Sequence, residues 1–326
     1  MTNPFDADFL APQAANHVAL SPVDFLFRTA EAFPAHPAMI HGDQRITYGE
    51  MLVRVKKLAS ALARRGVGKG STVSVIAPNI PPHLEAHYGV PMTGAILNSI
   101  NIRLDSAAIG FILDHGECDV LLVDAEFADV ARAALAHTGR RPLVVDLADP
   151  AGPDKAIGHM TYAALLAEGD ADEPVWQIGD EWQALALNYT SGTTGNPKGV
   201  VYHHRGAYLN AIGNVYAWDM PHHPVYLWTL PMFHCNGWCF TWGVTLQAGT
   251  HVCLRRIAAE PVIEAIAAEG VTHLCGAPIV VNMIANAEAG LRDRLPQGLA
   301  VMTAGAAPPP AVIAAMEATG ATVTHV

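Results

Sequence analysis

The sequence has little positive charge. Nineteen Lys and Arg stand against 30 Asp and Glu, which gives a formal net charge of −11. Proteins that bind nucleic acid usually present a basic surface, so we expect no nucleic-acid partner. An anionic ligand would need a local device, such as backbone N–H groups or a few placed cations.

Cysteine is scarce and scattered. The five cysteines are Cys118, Cys235, Cys239, Cys253 and Cys275. An odd number at irregular spacing does not make a disulfide framework, which favours a reducing compartment. The sequence therefore predicts a cytoplasmic location.

Long uninterrupted apolar runs are also lacking. Residues 1–20 contain no Lys or Arg and no compact apolar stretch, so no secretory signal is visible. Residues 220–254 lack Asp, Glu, Lys and Arg, but proline, histidine, asparagine and glutamine interrupt them. We expect no transmembrane segment and interpret this stretch as buried core around a site.

What the sequence does have is an alternation of short β-branched runs with longer helical ones. With 326 residues and 51% hydrophobic residues, it can bury a sizeable core. The strand candidates are residues 72–77, 120–124, 143–146, 184–189, 225–230, 251–254, 271–275, 300–303 and 321–326. The pattern predicts an α/β fold with largely parallel sheets, divided into a first subdomain at 1–183 and a second at 184–326.

One helix is predicted in detail from local signals. Thr47 and Glu50 form a T-x-x-E capping box, and apolar residues follow at helical spacing. Gly66 is placed to end the helix.

The most informative segment is residues 189–200, which read Tyr-Thr-Ser-Gly-Thr-Thr-Gly-Asn-Pro-Lys-Gly-Val. A strand leads into it, and a short extended piece at 200–203 and a helix from about Arg205 follow it. Three glycines allow tight turns that present N–H groups, four hydroxyls add donors, and Lys198 adds a positive charge. This density favours a phosphate-binding loop over an ordinary Gly/Ser/Thr turn.

The spacing differs from that of other catalytic loops. Pro197 stands where the common P-loop needs its second glycine, and Gly199 follows Lys198 where Ser or Thr is needed. No G-x-S-x-G is present, so a serine hydrolase is not supported. Arg205, Arg255 and Arg256 are basic enough to attract phosphate, but we expect a solvated surface role for each.

Residues 189–199 resemble the signature of the adenylate-forming (AMP-binding) superfamily, which includes acyl-CoA synthetases, luciferases and adenylation domains. The segments Pro-Met-Phe-His at 231–234 and Thr-Ala-Gly-Ala-Ala-Pro at 303–308 resemble its acyl-pocket and adenine-binding segments. Thr-Tyr at 47–48 and Ala-Pro-Asn at 77–79 fit its opening region. Residues 231–238 are most similar to methylthiopropionate-CoA ligases and short- to medium-chain acyl-activating enzymes.

The resemblance implies two stacked, largely parallel sheets with flanking helices, in a chain that stops before the barrel and C-terminal domain. It implies that a carboxylic acid is activated by ATP, with Mg²⁺, and passed to coenzyme A. The nucleotide would be held by Thr190, Ser191, Gly192, Thr193, Thr194, Gly195, Lys198, Gly305, Ala306 and Ala307. Lys198 and Thr194 would assist catalysis, Thr194 would bind the metal, and His234 and Trp238 would line the acid pocket.

Several expectations remain open at this point. The family's Tyr-Gly-x-Thr-Glu motif and adenylation lysine do not occur in these 326 residues, so we expect an inactive portion of a longer ligase. Alternatives are a nucleotide-binding module without catalysis and an adenylation domain serving a carrier protein. Trp238 is expected to reach the pocket floor only if residues 234–238 are helical. Homo-oligomerisation is left open.

Overall fold

The computed structural model describes residues 3–174, 178–190, 196–306 and 308–326. Its strands are β1 Pro37–His41, β2 Gln44–Thr47, β3 Thr72–Ile76, β4 Ile96–Ser99, β5 Cys118–Asp124, β6 Leu143–Leu147, β7 Met160–Thr161, β8 Ala184–Tyr189, β9 Gly199–His203, β10 Val225–Leu227, β11 Thr250–Val252, β12 His273–Cys275, β13 Ala300–Thr303 and β14 Thr322–His325.

The helical elements lie between these strands. They are α1 Asp24–Ala32, α2 Tyr48–Arg64, α3 Pro81–Gly89, α4 Ser106–His115, α5 Ala128–Ala136, α6 Tyr162–Glu168, α7 His204–Ala217, the one-turn segment α8 Cys235–Trp238, α9 Phe240–Leu246, α10 Ala259–Glu269, α11 Pro278–Ala285, α12 Ala289–Arg292 and α13 Pro310–Glu317. None of the described helices is both long enough and apolar enough to cross a bilayer.

The strands form two seven-stranded sheets. The first has the order β7-β6-β5-β3-β4-β8-β9 and the second the order β14-β13-β12-β10-β11-β1-β2. Neighbouring strands are parallel except for two edge pairs, β1–β2 and β8–β9, which are antiparallel. The predicted α/β fold, with two largely parallel sheets and flanking helices, is confirmed.

The cores explain why the strand sequences are so apolar. All five residues of β3 are buried, as expected for a central strand covered on both faces. Strands β1, β2, β4 and β7 were not predicted. In β4 the buried residues include Asn98, whose amide donates to Ser74 in β3. Because β4 contains polar residues, the apolar pattern did not identify it as a central strand.

Helix α2 forms where the local signals placed it. The Thr47 hydroxyl accepts from Glu50 N (3.3 Å), and the Glu50 carboxylate accepts from Thr47 N (2.8 Å). Gly66 follows with a φ of +83°, a left-handed conformation that glycine adopts without strain. The predicted capping box and helix end are confirmed.

Each sheet takes strands from both predicted subdomains. β1 and β2 belong to residues 1–183 but lie in the second sheet, whereas β8 and β9 belong to 184–326 but lie in the first. The division at residue 183 therefore does not separate the sheets, and it stays a prediction about subdomains.

Arg255 joins the two sheets at the carboxyl ends of their strands. It follows β11 in the second sheet and donates to Asp124 (2.8 and 2.9 Å), Asp149 (2.7 Å) and Glu126 (2.9 Å), which belong to the first. His41 at the end of β1 also contacts Asp149, at 2.7 Å. The Arg255 side chain is only 9% exposed. The expectation of a solvated Arg255 is wrong because three carboxylates compensate its burial.

Candidate functional site

The candidate phosphate-binding loop connects the two strands of an antiparallel hairpin. β8 and β9 pair as far as Tyr189 and Gly199. One step further, Thr190 N donates to Lys198 O (3.0 Å) and Lys198 N to the Thr190 hydroxyl (3.4 Å). Both residues are exposed. The hairpin thus brings these two predicted site residues opposite each other at the end where its loop begins.

Several other predicted site residues lie outside the described residues. They are Ser191, Gly192, Thr193, Thr194, Gly195 and Ala307. Their roles toward phosphate, metal and adenine stay predictions.

The segment after β10 carries His234 and then adopts an unusual backbone. Cys235, Asn236, Gly237, Trp238 and Cys239 all have positive φ, between 45° and 62°. These residues form a left-handed turn, which we call the 235–239 turn. A left-handed conformation costs roughly 1–2 kcal/mol for each non-glycine residue, and such strain gathers at functional sites.

Contacts from neighbouring elements hold the 235–239 turn. Asn214 in α7 donates to Trp238 O (2.6 Å), and the Thr241 hydroxyl donates to Asn236 O (3.2 Å). Gly237 lies against the indole of Trp228, where an added Cβ would be 2.5 Å from Cζ3. Only glycine fits this position.

The left-handed turn changes the expectation for Trp238. The prediction that Trp238 floors the pocket assumed right-handed helical spacing from His234, and the backbone does not have it. Trp238 is partly buried and packs against the main hydrophobic core. His234 is exposed, as is Cys235 beside it.

His234 and Cys235 influence each other's protonation. The Cys235 sulfur lies 3.9 Å from His234 Nδ1. Hydrogen bonding to His234 lowers the pKa of the Cys235 thiol, and the same contact raises the pKa of His234. The site therefore holds an accessible thiol with more thiolate character than an ordinary cysteine.

Asn79 is a residue whose role the sequence reasoning missed. It follows β3 in the first sheet, and its amide nitrogen donates to Trp228 O (2.9 Å) and Leu230 O (3.1 Å) in the second. Its amide oxygen accepts from Met232 N (2.8 Å). Asn79 thereby positions the backbone that leads to His234. The sequence singled out Asn79 only as part of Ala-Pro-Asn at 77–79, which fits the family's opening region, and this resemblance did not indicate its contacts.

The third predicted segment follows β13. Gly305 has a φ of +89°, and an added Cβ would meet no atom of the described residues within 4 Å. Gly305 and Ala306 are exposed, and α13 begins at Pro310, a residue type favoured in the first turn of a helix. The Thr303 hydroxyl is buried and has no partner among the described residues. The backbone here is open to a flat ligand, on the same edge of the second sheet as the segment after β10.

The two sequence motifs meet through buried side chains. Asn188, two residues before Thr190, donates from its amide to the Asn236 amide oxygen at 2.6 Å. This contact places the β8–β9 hairpin beside the 235–239 turn. Because this hairpin carries the candidate phosphate-binding loop, we call it the phosphate-loop hairpin. No hydrogen bond between described residues joins either of them to Gly305.

The fold is shared with solved structures. An inhibitor-bound N-terminal domain of FACL13 from Mycobacterium tuberculosis superimposes with a TM-score of 0.82 and 26% identity. The match covers 94% of this chain and 75% of that one.

Curated relatives are more similar in sequence. The acetate/butyrate–CoA ligase AAE7 of Arabidopsis thaliana is 46% identical over 98% of this chain and 59% of its own length. The acetate–CoA ligase CCL3 of Humulus lupulus is 45% identical with the same coverage. The chain thus spans about three-fifths of the length of these relatives.

The relatives overturn the predicted cytoplasmic location. AAE7 is named as a peroxisomal enzyme, and so is the trans-cinnamate:CoA ligase of Petunia hybrida, 39% identical over 98% of this chain and 59% of its own length. All five cysteines are free thiols. Free thiols indicate reducing surroundings but do not distinguish one compartment from another, so the inference from cysteine usage was wrong.

The model of one protein family covers most of the chain. The family described as "AMP-binding enzyme" matches residues 26–326, a range that includes the phosphate-loop hairpin, the His234 segment and the turn after β13. The predicted resemblance is confirmed, and the chain belongs to the AMP-binding enzyme family.

Proposed function

We propose that this chain carries the acid-activating site of an ATP-dependent acyl-CoA ligase that works through an acyl-adenylate. The observation that carries the proposal is the pairing of Thr190 with Lys198 in a hairpin that contacts the turn after His234. In this proposal, the loop of that hairpin binds phosphate and the neighbouring His234 segment receives the organic acid. Relatives of the chain are CoA ligases.

The proposed reaction has two steps. In the first, a carboxylate oxygen attacks the α-phosphorus of ATP, the bond to the bridging oxygen breaks, and pyrophosphate leaves. In the second, the coenzyme A thiolate attacks the acyl carbon, the bond to the AMP oxygen breaks, and AMP leaves. Both steps depend on alignment and charge neutralisation more than on a protein nucleophile.

The chain's own residues supply binding and orientation. Lys198 is exposed at the hairpin end and would neutralise phosphate charge, while Thr190 would orient the loop through its two contacts with Lys198. The exposed imidazole of His234 would line the acid pocket near the carboxylate. Thr194 is proposed as a further ligand for phosphate and metal.

The described residues leave room for a nucleotide base and do not form a preformed metal-binding cluster. Open space beside the left-handed Gly305 leaves room for a base against the backbone. No cluster of three or more His, Cys, Asp or Glu residues with metal-binding geometry occurs in the described ranges. Mg²⁺ would therefore be held chiefly by phosphate oxygens, where it would offset their negative charge.

The proposed substrates are small carboxylic acids. The names of relatives point to acetate, butyrate and trans-cinnamate. The segment around His234 offers an exposed imidazole, a glycine and a half-buried indole, which is compatible with short acids.

The first test is calorimetry of ATP binding to this chain. Binding in the presence of Mg²⁺ is expected, and its absence would contradict the proposal. Because the relatives are longer, acid-dependent exchange of pyrophosphate into ATP is then measured on the chain and on a fusion to the remaining part of AAE7. Acetate, butyrate and trans-cinnamate form the panel. ATP binding without exchange by the fusion would favour a binding module.

A further inference from the structure

Two buried amides form a polar link between the two parts of the proposed site. We propose that Asn188 and Asn236 are positioning residues that couple the phosphate-loop hairpin to the turn beside His234. Through this link, nucleotide binding sets the geometry of the acid pocket. The inference rests on the function proposed above and names a role that neither residue type nor spacing suggested.

The link is short and shielded. The donor–acceptor distance is 2.6 Å, Asn236 is fully buried, and Asn188 is 8% exposed. The remaining amide atoms, Asn188 Oδ1 and Asn236 Nδ2, are buried and have no partner among the described residues. The orientation of each side chain therefore depends on the other, because no further hydrogen bond of the described structure fixes it.

The link joins segments that are otherwise held by different elements. Asn188 lies in β8 opposite Val200 of β9 and moves with the hairpin. The backbone of the 235–239 turn is held instead by Asn214 of α7 and by Thr241, which do not belong to the hairpin. One further contact, less buried, runs from the hydroxyl of Tyr202 in β9 to the Cys235 thiol.

The conformation of the 235–239 turn is expected to change when the contact between Asn188 and Asn236 shifts. Four of its five left-handed residues are not glycine, so its conformation depends on contacts from its surroundings. Asn236 lies two residues after His234 and one after Cys235. A shift of β8 on binding a triphosphate would reach both side chains through the amide of Asn236.

The reporter of this coupling is the Cys235 thiol. Iodoacetamide alkylates a thiolate: the sulfur bonds to the methylene carbon, the carbon–iodine bond breaks, and iodide leaves. Cys235 is exposed within the turn, so its alkylation rate reports on the turn's geometry. Mass spectrometry gives that rate with and without ATP.

The variants are Asn188→Ala, Asn236→Gly and both together. Glycine adopts the left-handed backbone at 236 without steric cost and removes the side chain that carries the amide. The matched control is Asn214→Ala, which removes an amide contact to the same turn without touching the hairpin. Calorimetry on each variant gives ATP affinity, and circular dichroism confirms folding; each single variant tests the link if the other fails to fold.

In the unmodified chain, saturating ATP is expected to change the Cys235 alkylation rate at least about fivefold, the lower range of typical coupling. The ratio of the alkylation rates with and without ATP is expected to fall to about one in each single variant, while ATP still binds. The double variant should show the same ratio as the single variants, because both substitutions remove the same contact. Asn214→Ala is expected to change the basal rate and keep the ratio.

Three results would overturn the inference. They are a rate ratio of one in an unmodified chain that binds ATP, an unchanged rate ratio in the Asn188 and Asn236 variants, and an equal loss of the rate ratio in Asn214→Ala. Failure of the unmodified chain to bind ATP is a different outcome, because it removes the proposed function itself and the inference with it.

Discussion

Lys198 is the one positive charge at the loop end of the β8–β9 hairpin among the residues that the structure describes there. Replacing it with alanine removes a charge-assisted contact to phosphate. We expect Lys198→Ala to weaken ATP binding by about 1–3 kcal/mol, measured by calorimetry. The control is Lys69→Ala, which changes an exposed lysine in the connection before β3. Unchanged affinity in Lys198→Ala, or equal loss in the control, would contradict the assignment.

Cys235 is expected to be the thiol that reacts first. Its pKa is lowered by His234, whereas burial raises the pKa of Cys118 to about 11 and of Cys239 to about 12. At pH 7, iodoacetamide should label Cys235 selectively, as read by peptide mass spectrometry.

The pH profile separates the effect of His234 from simple exposure. In His234→Ala the alkylation rate of Cys235 should rise at a higher pH than in the unmodified chain, because the hydrogen bond that favours the thiolate is lost. A profile that does not move would show that exposure alone controls the reaction.

At this scale, the sequence predicted residues whose chemistry is local and missed those whose partners are distant. Thr190 and Lys198 were found from the density of glycine, hydroxyl and lysine in one loop. Asn79 and Asn236 were not, since their partners lie 153 and 48 positions away. A lone asparagine carries no sign of which distant backbone it will meet.

Among the elements, the 235–239 turn depends on one glycine, Gly237. Gly237→Ala would place a methyl group 2.5 Å from Trp228 Cζ3 at a φ of +57°. We expect it to lower the free energy of unfolding by about 2–4 kcal/mol through left-handed strain and overpacking. Urea unfolding measures the change.

Gly213→Ala is the matched control for that substitution. Gly213 lies in α7, where a Cβ would meet nothing within 4 Å, so alanine should raise helix stability by about 0.5–1 kcal/mol. Equal effects of the two substitutions would show that the packing against Trp228 does not matter.

Local signals predicted some elements well and others not at all. The capping box of α2 was identified because all of its hydrogen bonds join residues three positions apart. The left-handed turn was not, since side chains of α7 and α9 and the indole of Trp228 determine it. Strand β4 was missed because two of its four residues are polar and do not follow the apolar pattern. Asn98 pairs with Ser74 inside the sheet, and Ser99 pairs with His83 of α3.

At the level of the whole molecule, Arg255 is the cation that fastens one sheet to the other. Arg255→Met would leave Asp124, at 0% side-chain exposure, buried without its arginine partner, and would leave Asp149, at 4%, with His41 but without its arginine. We expect a loss of about 3–5 kcal/mol in the free energy of unfolding at pH 7. The control Arg45→Met breaks an exposed pair with Glu269 and should cost at most about 1 kcal/mol.

Acid should reduce the difference between Arg255→Met and the unmodified chain. Burial acts to raise the pKa of Asp149, but hydrogen bonds from Ala151 N, Arg255 and His41 outweigh it and leave the pKa below 3.8. The stability that Asp149 contributes is therefore present above about pH 4 and lost as pH falls below it. Urea unfolding from pH 7 to pH 3 should show the two curves converging; a constant gap would contradict the ion-network explanation.

The two-sheet architecture followed from the sequence only through the family resemblance. Strand composition indicated parallel sheets, but it did not indicate that β1 and β2 would join strands beyond residue 225. Which strands pair across the chain depends on tertiary packing. The apolar pattern of a strand does not specify its neighbour.

The position of β1 in the second sheet has a consequence for folding during synthesis on the ribosome. β1 lies between β2 and β11, and its contact with the β11 side joins residues 212 positions apart. The hairpin of β1 and β2 leaves the exit tunnel early, with one edge waiting for a strand synthesised much later. Closing so long a loop is slow, and an unpaired edge invites pairing with other chains. Nascent chains stalled before Thr250 should therefore be the ones that engage chaperones and aggregate, whereas those released after β11 should bury that edge and escape.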